Sequence, residues 1–486
     1  MENASATAYE TELNEWIRDE KAAIELIHII GELWFDRSIE LVIFRNQLVD
    51  RSASEILQLH NYALNMVGKP ITIQDSLLLA KEILSAEIAP ARIDLGRLAT
   101  EWLNEKAAYE SSKDFISDKL HSFLGKDKRV LKPKDIVLYG FGRIGRIAAR
   151  ELIIQAGKGE QLRLRAIVTR SNSDEDISKR AALLRTDSVH GPFPGTVIED
   201  YENKALIING HTVKMIAGSN PAAIDYTAYG ISNALLIDNT GSSRDREGLS
   251  EHLKAKGISK VLLTAPGKGD IPNVVHGVNH ASFDHQAETI FSAASCTTNA
   301  IVPVLQVIQK NLGILSGHIE TIHSYTNDQN LLDNFHKKYR RGRSAALNMV
   351  ITETGAGSAV TKVIPDLAGK LTSNSVRVPT PDVSLAILKL TVETDTNKDD
   401  VNSVLRNAAL KGDLVEQIQY SISNELVSSD LIGNPCASIV DSPATIVAND
   451  KRNIVLYVWY DNEYGYTRQV IRYAKHISDV IRLTYY

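Results

Sequence analysis

Over the first 126 positions, apolar residues recur at helical steps. Leu13, Trp16, Ile17, Ile24, Ile27, Ile30 and Trp34 follow at three-, four- and seven-residue spacings with charges between them, the pattern of a helix with one buried stripe. Ser52-Ala53-Ser54-Glu55 predicts a capping box opening a second helix toward Ile56, Leu57 and Leu59. Lys69-Pro70 punctuates, and the helical pattern resumes from Ser76 to Ile88. An all-helical N-terminal extension over 1–126 is expected, its plainest role being packing. After a charged linker at 125–129 that ends at Pro133, short β-branched runs alternate with helical stretches: Ile136–Tyr139, Arg163–Thr169, Ala234–Ile237 and Val261–Leu263. That alternation predicts βαβ units on a mostly parallel sheet. From about Ala386 the strands lengthen, and Ile454–Tyr460 reads as a buried run.

The remaining bulk properties narrow the function classes. A chain of 486 residues with 43% hydrophobic and 23% charged residues is expected to form two or three globular domains. A formal charge of -5 gives no reason to expect nucleic acid as the main partner. Two cysteines cannot make a disulfide framework, which suits a reducing cytoplasm. No signal peptide, membrane span or metal-ligand spacing is expected.

Gly140-Phe141-Gly142-Arg143-Ile144-Gly145 follows the strand at Ile136 and opens a helix through Ile147, Ala148, Leu152 and Ile153. Glycines there allow a tight turn and close approach of a pyrophosphate to free helix N–H groups. Dinucleotide folds usually end the next strand in an acid that binds the adenosine ribose. Here that strand ends in Thr169-Arg170-Ser171-Asn172, with no carboxylate before Asp174. A hydroxyl and a guanidinium at Thr169 and Arg170 could instead hold a 2′-phosphate, so NADP is expected to be accepted beside NAD. The bland alternative is that Arg170 is a solvated surface residue.

Ser295-Cys296-Thr297-Thr298-Asn299 follows the apolar run Thr289-Ile290-Phe291 and precedes a helical stretch from Ala300 to Lys310. Cys296 therefore falls at a helix N-terminus, where free N–H groups favour a thiolate. His323, at the end of a predicted strand, is a candidate general base for it.

These blocks resemble the signatures of phosphorylating glyceraldehyde-3-phosphate dehydrogenases. Gly140–Arg146, Ser295–Asn299 and His323–Gln329 are followed in order by Arg340–Arg343, Thr354-Gly355-Ala356, Arg377–Ser384 and Trp459–Tyr466. The resemblance runs from about Lys134 to the C-terminus. It implies Cys296 as nucleophile and His323 as its activator. Thr326 and Arg377 would hold the substrate phosphate; Ser295, Thr297, Thr354 and Gly355, with Arg343 nearby, would hold inorganic phosphate. Arg143 and Ile144 would touch the pyrophosphate, Thr240 and Thr264 would line the cofactor groove, and Asn462 would meet the nicotinamide carboxamide. It also implies a homotetramer, with the basic loop Asp333–Arg343 near a neighbouring subunit's cofactor. Three departures stand out: Ser219 where relatives often carry arginine, Ala300 in place of a second cysteine, and Cys436 where histidine is common.

The expected architecture is an α/β chain. A Rossmann-type NAD(P)-binding domain at 134–294 is completed by a C-terminal helix at 465–486, an α+β catalytic domain spans 295–460, and the helical extension precedes both. The expected reaction converts glyceraldehyde 3-phosphate, inorganic phosphate and NAD or NADP through a cysteine thioester to 1,3-bisphosphoglycerate. Erythrose-4-phosphate dehydrogenase, or a catalytically silent scaffold on the same fold, are the alternatives.

Overall fold

A computed structural model describes residues 2–67, 70–125, 128 and 130–486, with side chains also left undescribed at 2–7 and 64–67. The expected linker at 125–129 and the Lys69 punctuation lie largely outside the described residues. The chain divides into two compact units. One comprises 1–132 with 157–161 and 480–486; the other comprises 133–156 and 162–479.

The first unit contains α1 (Glu2–Arg37), β1 (Glu40–Ile43), β2 (Asn46–Gln47), α2 (Ala53–Val67), α3 (Ile73–Ser85), β3 (Ala91–Asp94), α4 (Leu95–Glu105) and α5 (Ser112–Lys119). The capping box forms as expected: Ser52 N–H donates to Glu55 at 2.8 Å and Glu55 N–H returns to Ser52 Oγ at 3.3 Å. The stripe expected on α1 is only partly right. Leu13, Trp16, Ile17 and Ile24 are exposed, while Ala22, Ala23, Leu26, Ile29, Ile30, Leu33 and Trp34 are buried. Among the described residues of α1, buried side chains begin at Ala22, and the earlier apolar positions from Tyr9 to Ile17 are exposed.

The extension is mainly helical but not all-helical. A four-stranded sheet runs β2-β1-β3-β22, in which β22 is Leu483–Tyr485 and pairs parallel with β3. A four-residue apolar run such as Glu40–Ile43 has no period long enough to separate strand from helix. Buried Asp94 closes the sheet by accepting from Phe44 N–H at 2.9 Å and Gly96 N–H at 3.0 Å. The C-terminal helix likewise stops short of 486. It covers Tyr464–Ile477, Asp479 then takes φ +56°, and the alternating tail becomes β22.

The second unit is built on two eight-stranded sheets. The first contains β4 (Lys134–Tyr139), β5 (Leu162–Thr169), β8 (Val197–Asp200), β9 (Ala205–Ile208), β10 (His211–Ala217), β11 (Ala234–Asp238), β12 (Ile258–Leu263) and β13 (Ile290–Ser292), in the order β13-β12-β11-β4-β5-β10-β9-β8. A short hairpin, β6 (Thr186–Asp187) with β7 (Gly191–Pro192), lies outside it. The six strands from β13 to β10 are parallel, and the order reverses around β4, the crevice where such folds bind ligands. Helices α6 (Arg143–Ile154), α7 (Asp174–Arg185) and α8 (Arg246–Leu253) connect these strands.

The second sheet, mostly antiparallel, follows α9 (Cys296–Leu312). It consists of β14 (Ile314–Ser324), β15 (Val350–Thr352), β16 (Leu371–Val378), β17 (Ser384–Val392), β18 (Ile418–Ser421), β19 (Ser438–Asp441), β20 (Ile446–Val447) and β21 (Asn453–Tyr460). Helices α10 (Ala356–Val363) and α11 (Lys398–Leu410) interrupt it, and α12 (Tyr464–Ile477) follows it. Ile301, Val304, Leu305 and Ile308 of α9 share one core with Leu388, Leu390, Leu456 and Val458 of the sheet. This packing fixes the helix whose first residue is Cys296.

Candidate active site

The groove at β4 has the shape a dinucleotide needs. Gly140 sits at φ +93°, and a Cβ there would lie 2.8 Å from Thr240 Cγ2; one on Gly145 would lie 2.4 Å from the Gly140 carbonyl oxygen. Gly142, the N-cap of α6, has no atom within 4 Å of its Cβ position and makes no side-chain cap. The first-turn N–H groups of Arg143 and Ile144 thus face space that a pyrophosphate fits.

For Arg143 the expected pyrophosphate contact is left to the backbone; the side chain is engaged elsewhere. It is committed to carboxylates, bonding Asp187 at 3.1 Å and Glu463 on both oxygens, so only its backbone is available to a phosphate. Thr240 and Thr264 lie at the ends of β11 and β12. Their hydroxyls donate to Asp238, at 2.7 Å to Oδ1 and 3.0 Å to the carbonyl. Thr169 closes β5 with its hydroxyl on the Ser171 carbonyl at 2.7 Å, and Arg170 is exposed. Asn462 is buried and oriented by Ser384, whose Oγ donates to Asn462 Oδ1 at 2.7 Å.

Leaving β13, the chain turns through Ala294, a non-glycine residue at φ +55°. Tyr466 holds that turn by donating to the Ala294 carbonyl at 2.9 Å, and Asn299 donates to the Ala293 carbonyl at 2.8 Å. Strained backbone of this kind persists only where its surroundings over-determine it. Ser295 then caps α9 by accepting from Thr298 N–H at 3.0 Å, which sets Cys296 at the first helical position.

Cys296 Sγ lies 3.5 Å from Nε2 of His323, near the end of β14. His323 Nδ1 is 2.7 Å from the Ser324 carbonyl and 3.0 Å from Arg377 Nη1. Only one of these contacts can be a hydrogen bond for a given tautomer. The shorter contact, and an Arg377 already donating to Ser324 O at 2.9 Å, favour Nδ1–H on the carbonyl. Nε2 is then a lone pair facing the sulfur. Burial, with Arg377 adding to it, pushes the His323 pKa down to about 3, and burial pushes the Cys296 thiol up. The resting pair is therefore a neutral thiol beside a neutral imidazole, poised for proton transfer.

A cavity of about 360 Å³ opens on this pair and is lined by Ser295, Thr297, Thr354, Gly355 and Arg377 among others. Arg377 Nη1 also donates to Thr326 Oγ1 at 3.3 Å. Arg343, expected near the inorganic phosphate, has a side chain that is 65% exposed, pairs with Asp333 at 2.8 Å, and does not line the cavity. Arg341, two positions earlier, is half-buried, donating to Thr326 Oγ1 at 3.3 Å and pairing with Asp328 at 2.8 Å. Lys362 of α10 also reaches the cavity. Neither Arg341 nor Lys362 was singled out by sequence, because a run of basic residues does not reveal which one turns inward.

One acid beside the site carries a stability cost. Asp382 is buried next to Asp461 and Glu463, 3.6 Å from His190, and burial with the Asp461 charge pushes its pKa up to about 9. The folded chain keeps this carboxyl protonated at pH 7, whereas the unfolded chain ionises it from about pH 4. Its contribution is thus present at low pH and lost as pH rises from about 4 toward 9. Asp382→Asn keeps the neutral shape. It is expected to raise Tm at pH 7 by several degrees and to flatten the fall of Tm between pH 5 and 9. A lower Tm with an unchanged slope would contradict this.

A Rossmann groove leading to a Cys–His pair and a neighbouring cavity defines a nicotinamide-dependent dehydrogenase. The chain belongs to the glyceraldehyde-3-phosphate dehydrogenase family: that family's NAD-binding domain matches residues 134–246 and its C-terminal domain residues 295–462. A glyceraldehyde-3-phosphate dehydrogenase-like protein of Pseudomonas aeruginosa (strain UCBPP-PA14) is 48% identical over 94% of this chain and 98% of its own length. The glyceraldehyde-3-phosphate dehydrogenase of Zymomonas mobilis subsp. mobilis is 40% identical over 71% of this chain and 99% of its own. At 94% coverage the Pseudomonas match must run through most of the N-terminal extension; the Zymomonas match is too short to do so. NAD or NADP is the cofactor the family and the groove call for.

Proposed function

We propose that this chain catalyses the reversible oxidative phosphorylation of D-glyceraldehyde 3-phosphate to 1,3-bisphosphoglycerate. The observation that carries the reading is the 3.5 Å approach of Cys296 Sγ to His323 Nε2 on the wall of a cavity that Ser295, Thr297, Thr354 and Arg377 also line. His323 Nε2 takes the thiol proton as Sγ attacks the aldehyde carbon, and that proton passes to the new hydroxyl of the hemithioacetal. His323 then removes the hydroxyl proton while the C–H bond breaks. Bound in the groove, the oxidised nicotinamide accepts the departing hydride. Cys296 is left as a thioester, which retains the oxidation energy. Inorganic phosphate attacks its carbonyl, and the Cys296 thiolate leaves and recovers its proton from His323.

Arg377 and Thr326 hold the substrate phosphate, with Arg341 as a second cation. Ser295, Thr297, Thr354 and Gly355 cradle the attacking one. Thr169 and Arg170 admit the 2′-phosphate of NADP, and Asn462 receives the carboxamide. In domain terms, 134–294 with the helix after 464 binds the cofactor, 295–460 carries the chemistry, and 1–126 is an added unit.

A homotetramer fits the apolar side chains of Leu331, Leu332, Phe335, Tyr339, Leu347 and Met349, all between 73% and 90% exposed on this chain. A cytoplasmic home fits two free cysteines and the lack, among the described residues, of a helix long and apolar enough to cross a membrane. Cofactor reduction with glyceraldehyde 3-phosphate, run with each cofactor and with and without inorganic phosphate, tests the reading. Turnover should depend on phosphate, in a protein that sediments as a tetramer, and kcat/KM with NADP should come within tenfold of that with NAD. Phosphate-independent oxidation of erythrose 4-phosphate, or no turnover with either sugar, would overturn it.

A further inference from the structure

Four histidines that this chemistry does not use crowd together in the second unit. His276, His280 and His285 lie on the connection between β12 and β13, and His476 is in the last turn of α12. Ring centroids are 4.4 Å apart for His276–His280, 4.9 Å for His280–His476, 6.0 Å for His276–His476 and 4.9 Å for His285–His476. Imidazole nitrogens bind zinc at about 2.0–2.1 Å, which puts ring centres roughly 3.2 Å from the ion and, at tetrahedral angles, roughly 5 Å from one another. The first three spacings bracket that value. Turning a ring about its Cβ–Cγ bond swings the nitrogens but leaves its centre almost in place. The backbone and χ1 angles have therefore already set the triangle.

Ring turns are needed to bring the nitrogens together, since among the described residues only His190, Asp382 and Glu463 already hold three ligand atoms within 4.8 Å of one another. His276 Nδ1 and His476 Nε2 are buried without a hydrogen-bond partner, a rare condition for a polar atom. The backbone of His280 lies beside His476. His285 Nε2 donates to Asp479 at 2.8 Å, the carboxylate–histidine pairing that orients metal ligands. His280 Nδ1 accepts the Gly277 N–H at 3.0 Å and would exchange that bond for a ligand bond by a ring turn. Asp413, Glu416 and Asp479 face the cluster, set against Arg472 and against Lys260, whose ammonium donates to the His285 carbonyl. Burial pushes His276 down to about 3 and His476 to about 4, so both are neutral donors at pH 7.

We propose that His276, His280 and His476, with His285 at the rim, bind a divalent transition-metal ion of the zinc class and so clamp the end of α12 to the β12–β13 connection. An all-imidazole donor set suits Zn²⁺ and excludes the hard ions Ca²⁺ and Mg²⁺. Because the Cys296–His323 pair would also capture zinc, the test uses full-length Cys296→Ser protein titrated with Zn²⁺ in a competing chelator. One ion per chain is expected, with a Kd at or below the micromolar range and a rise in Tm on loading. Adding His276→Ala and His476→Ala should weaken binding at least about 100-fold and abolish the Tm rise. His280→Gln, a milder change, should also lose affinity if the double variant folds poorly. In the Cys296 background, His276→Ala should keep its dehydrogenase activity. No zinc bound by Cys296→Ser protein, or unchanged binding in the histidine variants, would overturn the site.

Discussion

Cys296→Ser lowers kcat by roughly 10⁴-fold or more while leaving cofactor affinity within about twofold. In the proposed chemistry the sulfur is the atom that bonds the aldehyde carbon, and its neighbours fix its place. Ser295 caps α9, Ala294 is held in a left-handed turn, and His323 Nε2 stands 3.5 Å away. A serine hydroxyl is a far weaker acid than a thiol, so the neutral His323 imidazole deprotonates it far less readily. An oxyester would also be a poorer acyl donor to phosphate. Steady-state rates and cofactor titration by fluorescence check both halves. Activity within tenfold of the parent would remove Cys296 from the chemistry.

His323→Asn lowers kcat by about 10²–10⁴-fold with little change in KM, because it deletes the base but no phosphate contact. The buried ring also predicts a pH signature. Its folded pKa, near 3, lies below the ordinary histidine value of about 6.5. Between those values the unfolded chain binds the proton and the folded chain does not. The stability His323 permits is therefore present above pH 6.5 and is lost as pH falls toward 3. His323→Asn should remove that part of the acid sensitivity, and the parent's kcat should show no midpoint near 6.5 from this residue. Rate and Tm profiles from pH 4 to 8 decide the matter; a variant that keeps its rate would contradict the assignment.

The sequence was most legible where local chemistry dictates geometry. The Ser52–Glu55 box, the glycine loop before α6 and the helix-starting Cys296 each follow from hydrogen-bonding rules that act over a few residues. Legibility failed where a longer-range partner decides the outcome. The exposure of Leu13, Trp16 and Ile17 is not written in their helical spacing. The strand at Leu483–Tyr485 exists because β3 offers it an edge. The path of one loop turns Arg341 toward Thr326 and leaves Arg343 on Asp333, and the Arg143 side chain is tied to two carboxylates remote in sequence. The histidine cluster joins a connection near residue 280 to a helix end at 476, a separation no linear motif spans.

A single turnover without inorganic phosphate probes the proposed covalent chemistry most directly. Mixed with glyceraldehyde 3-phosphate and oxidised cofactor, the enzyme should release one equivalent of reduced nicotinamide per chain and carry a phosphoglyceroyl group that peptide mass spectrometry maps to Cys296. Added phosphate should discharge it. An acyl group found on another residue, or cofactor reduction with no acylated enzyme at all, would contradict the account.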